Sequence, residues 1–268
     1  MPIQKIKAGP KWYATLARVL FFYICSVIIF AFSAGITKGI SSQIADHTSM
    51  LLSTALTFAL VFVFTRWEKL NLRDVGVIPG KKSIPRFIIG YLTGLSMAIT
   101  QALVVLVVGH FRLVFVPQIT ISQVLLSFLL YILIASREEL VFRSYSLRSL
   151  NYALGWALAL AIITTIFILE HIIAGMLWGT AILGIGMGGV LFGLAAIKTK
   201  GLALPLGLHS AWNFGQWSLG FKGKPGMWEA ITEKGYESQV QTVGLAAFVL
   251  VMAVAIGGIC FFYRKERP

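Results

Sequence analysis

Three short clusters in this chain have the residue types and spacing for acid–base chemistry on water: Glu138-Glu139-Leu-Val-Phe-Arg143, Phe167-Ile-Leu-Glu-His171 and His209-Ser-Ala-Trp-Asn213. On a helix, Glu139 and Arg143 stand four residues apart, the favourable order for an ion pair, and a buried charge needs such a partner. Glu138 points about 100° further round and has no local partner, which leaves it free to act as a general base or acid. Phe167 and His171 share one helix face, as do His209 and Asn213. Two donors aimed at one point could form an oxyanion hole for a tetrahedral intermediate; they could equally bind a metal or a polar substrate. Glu, His, His and Asn together make a set that activates water and stabilises an oxyanion without a protein nucleophile. No serine sits in a nucleophile-elbow motif, and no His-Glu-x-x-His zinc motif occurs.

Each cluster also has a structural reading. The first could be a helix end at the headgroups, since Arg137 and Arg148 flank it. The second could hold a satisfied helix-end histidine, and the third could be polar glue between helices. All three, however, lie in or against strongly apolar stretches, where an ionisable side chain costs roughly 2.5–3.5 kcal/mol on insertion. Such residues in three separate segments point to one reacting centre. Glu170 points away from His171 and is secondary. Gly184-Ile-Gly-Met-Gly-Gly189 reads as close helix packing rather than a phosphate loop, because no strand precedes it. His47 and His110 look incidental.

The elements that must position these residues are membrane helices. The chain has 268 residues, of which 57% are hydrophobic and only 12% charged. A soluble domain would carry about a quarter charged residues. The expected fold is all-α: a polytopic membrane bundle forming one integral domain over 1–268, with no separate soluble domain. About twenty apolar residues make a span, and eight spans emerge at roughly 15–36, 48–65, 87–109, 121–149, 153–174, 178–198, 202–220 and 241–263. The first reads as an uncleaved helix. The fourth reads as one long helix running through its motif to Leu150. Threading sets His171 near the outer end of its span and His209 near the inner start of its own. Either boundaries shift or a buried non-helical lead-in at Gly201–Pro205 brings them level, with a site inside the membrane open to the cytoplasm.

The net charge of +13 does not indicate nucleic acid, because the basic residues sit between spans. With the N-terminus cytoplasmic, only Lys38, Arg112, Lys222, Lys224 and Lys234 of the 23 lysines and arginines fall outside. This bias puts both termini in the cytoplasm. The connector from Arg66 to Arg86 reads as a basic loop on anionic headgroups. Phe221–Gln239 reads as an outer loop with a short amphipathic helix. Cys25 and Cys260 are expected to be free, buried thiols.

The three motifs, in this order and on apolar spans, resemble those of the CAAX-protease and bacteriocin-processing family, also called the abortive-infection family. It includes the type II CAAX prenyl endopeptidase, the Ras-converting enzyme. The run Gly201-Leu-Ala-Leu-Pro-Leu-Gly-Leu-His209 is similar to that family's approach to its third motif, and the resemblance covers about 121–216. It implies an intramembrane endopeptidase acting on a membrane-associated protein or peptide. By resemblance, Glu138 and His171 activate water, His209 and Asn213 form the oxyanion hole, and Glu139, Arg143 and Phe167 support them. A divalent metal such as zinc could be held by Glu138, His171 and His209. The compact chain looks like a bacterial member, which implies the plasma membrane. Two other classes compete: an immunity protein that sequesters a peptide without cutting it, and a transporter. The transporter is disfavoured by the lack of a repeat or of paired broken helices.

Overall fold

The computed structural model describes residues 11–265. Lys5, Lys7 and Arg267, read from the sequence as cytoplasmic charges, lie outside them. In chain order the helices are α1 (Trp12–Ile36), α2 (Ser42–Trp67), α3 (Ser83–Val108), α4 (Ile121–Val141), α5 (Leu147–Leu154), α6 (Trp156–Ile173), α7 (Trp178–Thr180), α8 (Gly186–Thr199), α9 (Ala203–Ser218) and α10 (Glu237–Phe262). Pairs α4–α5 and α7–α8 are interrupted rods, so the described residues form eight rods where the sequence predicts eight spans. Six of them are long and apolar enough to cross a bilayer: α1, α2, α3, α6, α7–α8 and α10. The remaining two carry the first and third motifs. At 16 residues, α9 is roughly 24 Å long, short of the roughly 30 Å hydrocarbon layer. It packs against α3, α4 and α8, so protein shelters its polar residues.

Glycines set that packing. A methyl group at Gly90 or Gly94 of α3 would collide with the carbonyls of Leu204 and Leu208, and one at Gly207 of α9 would collide with the carbonyl of Phe87. The two backbones therefore approach as closely as helices can, the small-residue mode of membrane packing. The glycine run in α8 works the same way: Gly186, Gly189 and Gly193 face Ile168, Thr164 and Leu160 of α6.

The fourth rod is not one continuous helix. It stops at Val141, and Phe142–Ser146 form a widened turn in which Ser144 leaves helical geometry (φ −87°, ψ −111°). The hydroxyls of Ser144 and Ser146 donate to the carbonyls of Leu140 and Val141, which satisfies backbone groups that the break releases. Residues 139–150 are all buried, so the first motif is packed inside the protein rather than left as an exposed helix end.

A two-stranded antiparallel pair joins distant connections: β1 (Phe111–Phe115) and β2 (Trp228–Thr232), with Phe111 opposite Thr232. The amphipathic helix expected in Phe221–Gln239 is absent. Trp228-Glu-Ala-Ile-Thr232 contains aromatic and β-branched residues suited to a strand, and β1 supplies its partner. His110 is not incidental: its Nδ1 lies 2.7 Å from Glu233 Oε2 and its ring stacks on Tyr236. His47 likewise has a partner, donating from Nε2 to the Leu126 carbonyl at 2.9 Å. Both cysteines are free, but neither is buried as expected: Cys25 is half-buried and Cys260 exposed.

Candidate active site

The last turn of α4 presents Glu138 and Glu139, and α9 presents His209 and Asn213 one turn apart. Helix α9 begins at Ala203, with Pro205 in its first turn, where a missing N–H is tolerated. The non-helical lead-in is thus confined to Gly201 and Leu202, and His209 lies within two turns of the helix start.

Glu139 is the hub. It is 1% exposed; its Oε1 lies 3.5 Å from Arg143 Nη1 and accepts a hydrogen bond from His209 Nδ1 at 2.9 Å. A carboxylate oxygen accepts, so Nδ1 carries the proton, and His209 meets its other neighbours through Nε2. That atom lies 3.6 Å from Glu138 Oε2, too far for a direct hydrogen bond. Arg143, also 1% exposed, has its guanidinium 4.5 Å from the Phe167 ring centre, 5.5 Å from Phe142 and 5.6 Å from Phe192. Three ring faces disperse a charge that one carboxylate partner only half satisfies. Phe192 also stacks on His209 at 4.5 Å, nearly parallel.

The second motif joins from α6. Phe167 packs on Phe142 at 4.7 Å. His171 Nδ1 lies 2.9 Å from the Phe167 carbonyl; that oxygen can only accept, so Nδ1 carries hydrogen and Nε2 keeps its lone pair. Among the described residues, no hydrogen bond or ion pair joins His171 to Glu138 or to His209. Glu170 is engaged elsewhere: its Oε1 lies 3.6 Å from Arg137 Nη1, and Arg137 sits over Phe30 of α1 at 4.4 Å.

The structure therefore brings Glu138, Glu139, Arg143, Phe167 and His209 into one contact network, with Asn213 a turn beyond and His171 adjoining through Phe167. Among the described residues, no group of three or more His, Cys, Asp or Glu side chains could hold a metal ion. The candidate set Glu138, His171 and His209 does not converge as zinc ligands do. Sequence reasoning missed Phe192 and Lys222. Phe192 has a faint signal as the one aromatic in a helix of glycines and small residues. Lys222, whose Nζ donates to Asn213 Oδ1 at 2.9 Å, looks in the sequence like any loop lysine.

Together these features define an integral membrane helical bundle with a buried carboxylate–imidazole network. Residues 120–215, the stretch that holds all three motifs, match the family described as Type II CAAX prenyl endopeptidase, Rce1-like, the family those motifs resemble. The match implies a protease with a membrane-associated substrate. No curated protein matches the chain significantly.

Proposed function

We propose that this protein is an intramembrane endopeptidase that cleaves a peptide bond with water activated by Glu138. The Glu138 carboxylate takes a proton from water, and the resulting hydroxide adds to the peptide carbonyl carbon. Asn213 donates to the oxyanion from its amide nitrogen, and His209 joins it from Nε2 when the ring carries a proton on both nitrogens, Nδ1–H staying on Glu139. The proton then passes to the departing amine nitrogen as the C–N bond breaks. His171, with its free Nε2 lone pair, assists as a second base. The observation that carries this reading is the shared carboxylate of Glu139. By holding both Arg143 and His209 Nδ1, it fixes the imidazole with Nε2 toward Glu138 across a 3.6 Å gap. The protein is one integral domain, both termini are cytoplasmic, and the host membrane is a bacterial plasma membrane.

The family description names a prenyl endopeptidase, so the first probe is an internally quenched peptide ending in farnesyl-cysteine and three further residues. With purified protein in liposomes, Glu138→Gln should lower cleavage roughly 10²–10⁴-fold, the usual worth of a general base, without changing the unfolding temperature. Cleavage by Glu138→Gln at the wild-type rate would overturn the mechanism. Tight binding of the intact probe by both proteins, with no cleavage by either, would favour a peptide-sequestering protein.

A further inference from the structure

Lys222 reaches the site from outside the segment that matches the family, and its position is built rather than accidental. Helix α9 ends in a Schellman motif: Gly220 adopts φ +75°, its N–H donates to the Trp217 carbonyl at 3.0 Å, and the Phe221 N–H donates to the Gln216 carbonyl at 2.9 Å. The left-handed turn sends the chain back along the helix it has just left. No other residue fits at Gly220, because an added Cβ would lie 2.8 Å from both Ala230 N and Trp228 O of β2. Phe221 then stacks on Phe111 of β1, with ring centres 5.6 Å apart and planes 5° from parallel. Held between these anchors, Lys222 reaches Asn213 Oδ1 and lies 5.8 Å from the Tyr131 ring centre of α4.

We propose that Lys222 is a positioning residue that holds the Asn213 carboxamide with Oδ1 toward the loop and Nδ2 free for the reacting centre. The argument is one of donor and acceptor count. An ammonium has three donors and no acceptor, so only the amide oxygen can face it. With Oδ1 engaged, the other prong of the amide, Nδ2, is turned away from Lys222, and among the described residues it has no hydrogen-bond partner. An Asn without such a clamp flips its amide between two orientations, only one of which presents a donor to an oxyanion. Lys222 is exposed as a whole residue, while its ammonium end lies against Asn213 and the Tyr131 ring. Burial pushes its pKa below the ordinary lysine value, and the nearby charge of Glu138 offsets part of that shift.

The catalytic consequence rests on the hydrolase reading, so the test has two arms. The chain has three asparagines, Asn71, Asn151 and Asn213. Protein labelled with ¹⁵N only at asparagine shows three side-chain amide pairs, and Asn213→Asp identifies one of them. Lys222→Met should shift or broaden the Asn213 pair alone, and Lys222→Arg should largely restore it. In the cleavage arm, loss of orientation should lower kcat roughly tenfold, a fraction of the worth of a whole oxyanion donor, with KM unchanged. Lys222→Arg should recover most of kcat, and Lys222→Met should add nothing in an Asn213→Ala background. An unmoved Asn213 signal in Lys222→Met overturns the proposal, as does a change in KM alone. A wild-type protein that does not cut the probe removes the hydrolase reading, and the amide signals then decide the Lys222 contact by themselves.

Discussion

Glu139 and Arg143 illustrate how a buried charge pair is held in place by more than its own attraction. The Arg143 guanidinium makes no hydrogen bond to any of the described residues, and its stabilisation comes from Glu139 and three aromatic faces. Removing it by Arg143→Ala leaves a buried carboxylate with only an imidazole beside it, which should cost roughly 3–5 kcal/mol. The checking measurement is chemical or thermal unfolding in a defined detergent. The double variant Glu139→Gln with Arg143→Met should regain most of that stability and still cleave poorly, because His209 keeps only a neutral amide oxygen in place of its carboxylate anchor. This pair was legible in the sequence from its spacing alone. The partnership of Glu139 with His209 was not, since residues 70 positions apart meet only through tertiary packing. Spacing in the sequence pairs His209 with Asn213, and the family resemblance pairs Glu138 with His171. The structure places His209 Nε2 nearest Glu138, with His171 one contact removed.

At the scale of elements, the close contact of α3 with α9 determines where His209 sits. Gly207 is two residues from it and faces the α3 backbone, which cannot move aside as a flexible side chain would. Gly207→Ala should therefore push the helices apart, cost roughly 1–3 kcal/mol by overpacking, and reduce cleavage with it. Gly257→Ala in α10, where an added Cβ meets nothing within 4 Å, is the matched control and should change neither stability nor rate. Six of the eight rods could be read from apolar length because the bilayer imposes a minimum on each; α9 falls short of that minimum and is sheltered by protein instead. The break after Val141 could not be read in this way, because the residues around it are good helix formers and the extra room in the turn is settled by packing. The serines at 144 and 146 were its one visible trace. The strand pair escaped notice for a related reason: five-residue strands have no periodic signal until the partner is known, and β1 and β2 are far apart in the chain.

On the proposed topology, charge is distributed by side across the whole molecule. Lys224, in the connection between α9 and β2, and Lys81, in the connection before α3, should be on opposite faces of the membrane. With Cys25 and Cys260 replaced by serine, Lys224→Cys should react with an impermeant maleimide added to intact cells, and Lys81→Cys only after the cells are opened. The reverse pattern would invert the topology.

The β1–β2 pair also sets a timetable. More than a hundred residues separate Phe115 from Trp228, so at 5–20 residues per second a ribosome needs roughly 6–23 s to make the second strand after the first. For much of that interval α4 has been made with its acidic pair, while His209, Asn213 and the loop bearing Lys222 have yet to be synthesised. On the proposed mechanism the nascent chain cannot cut until synthesis has passed Asn213, so the order of translation itself delays activity.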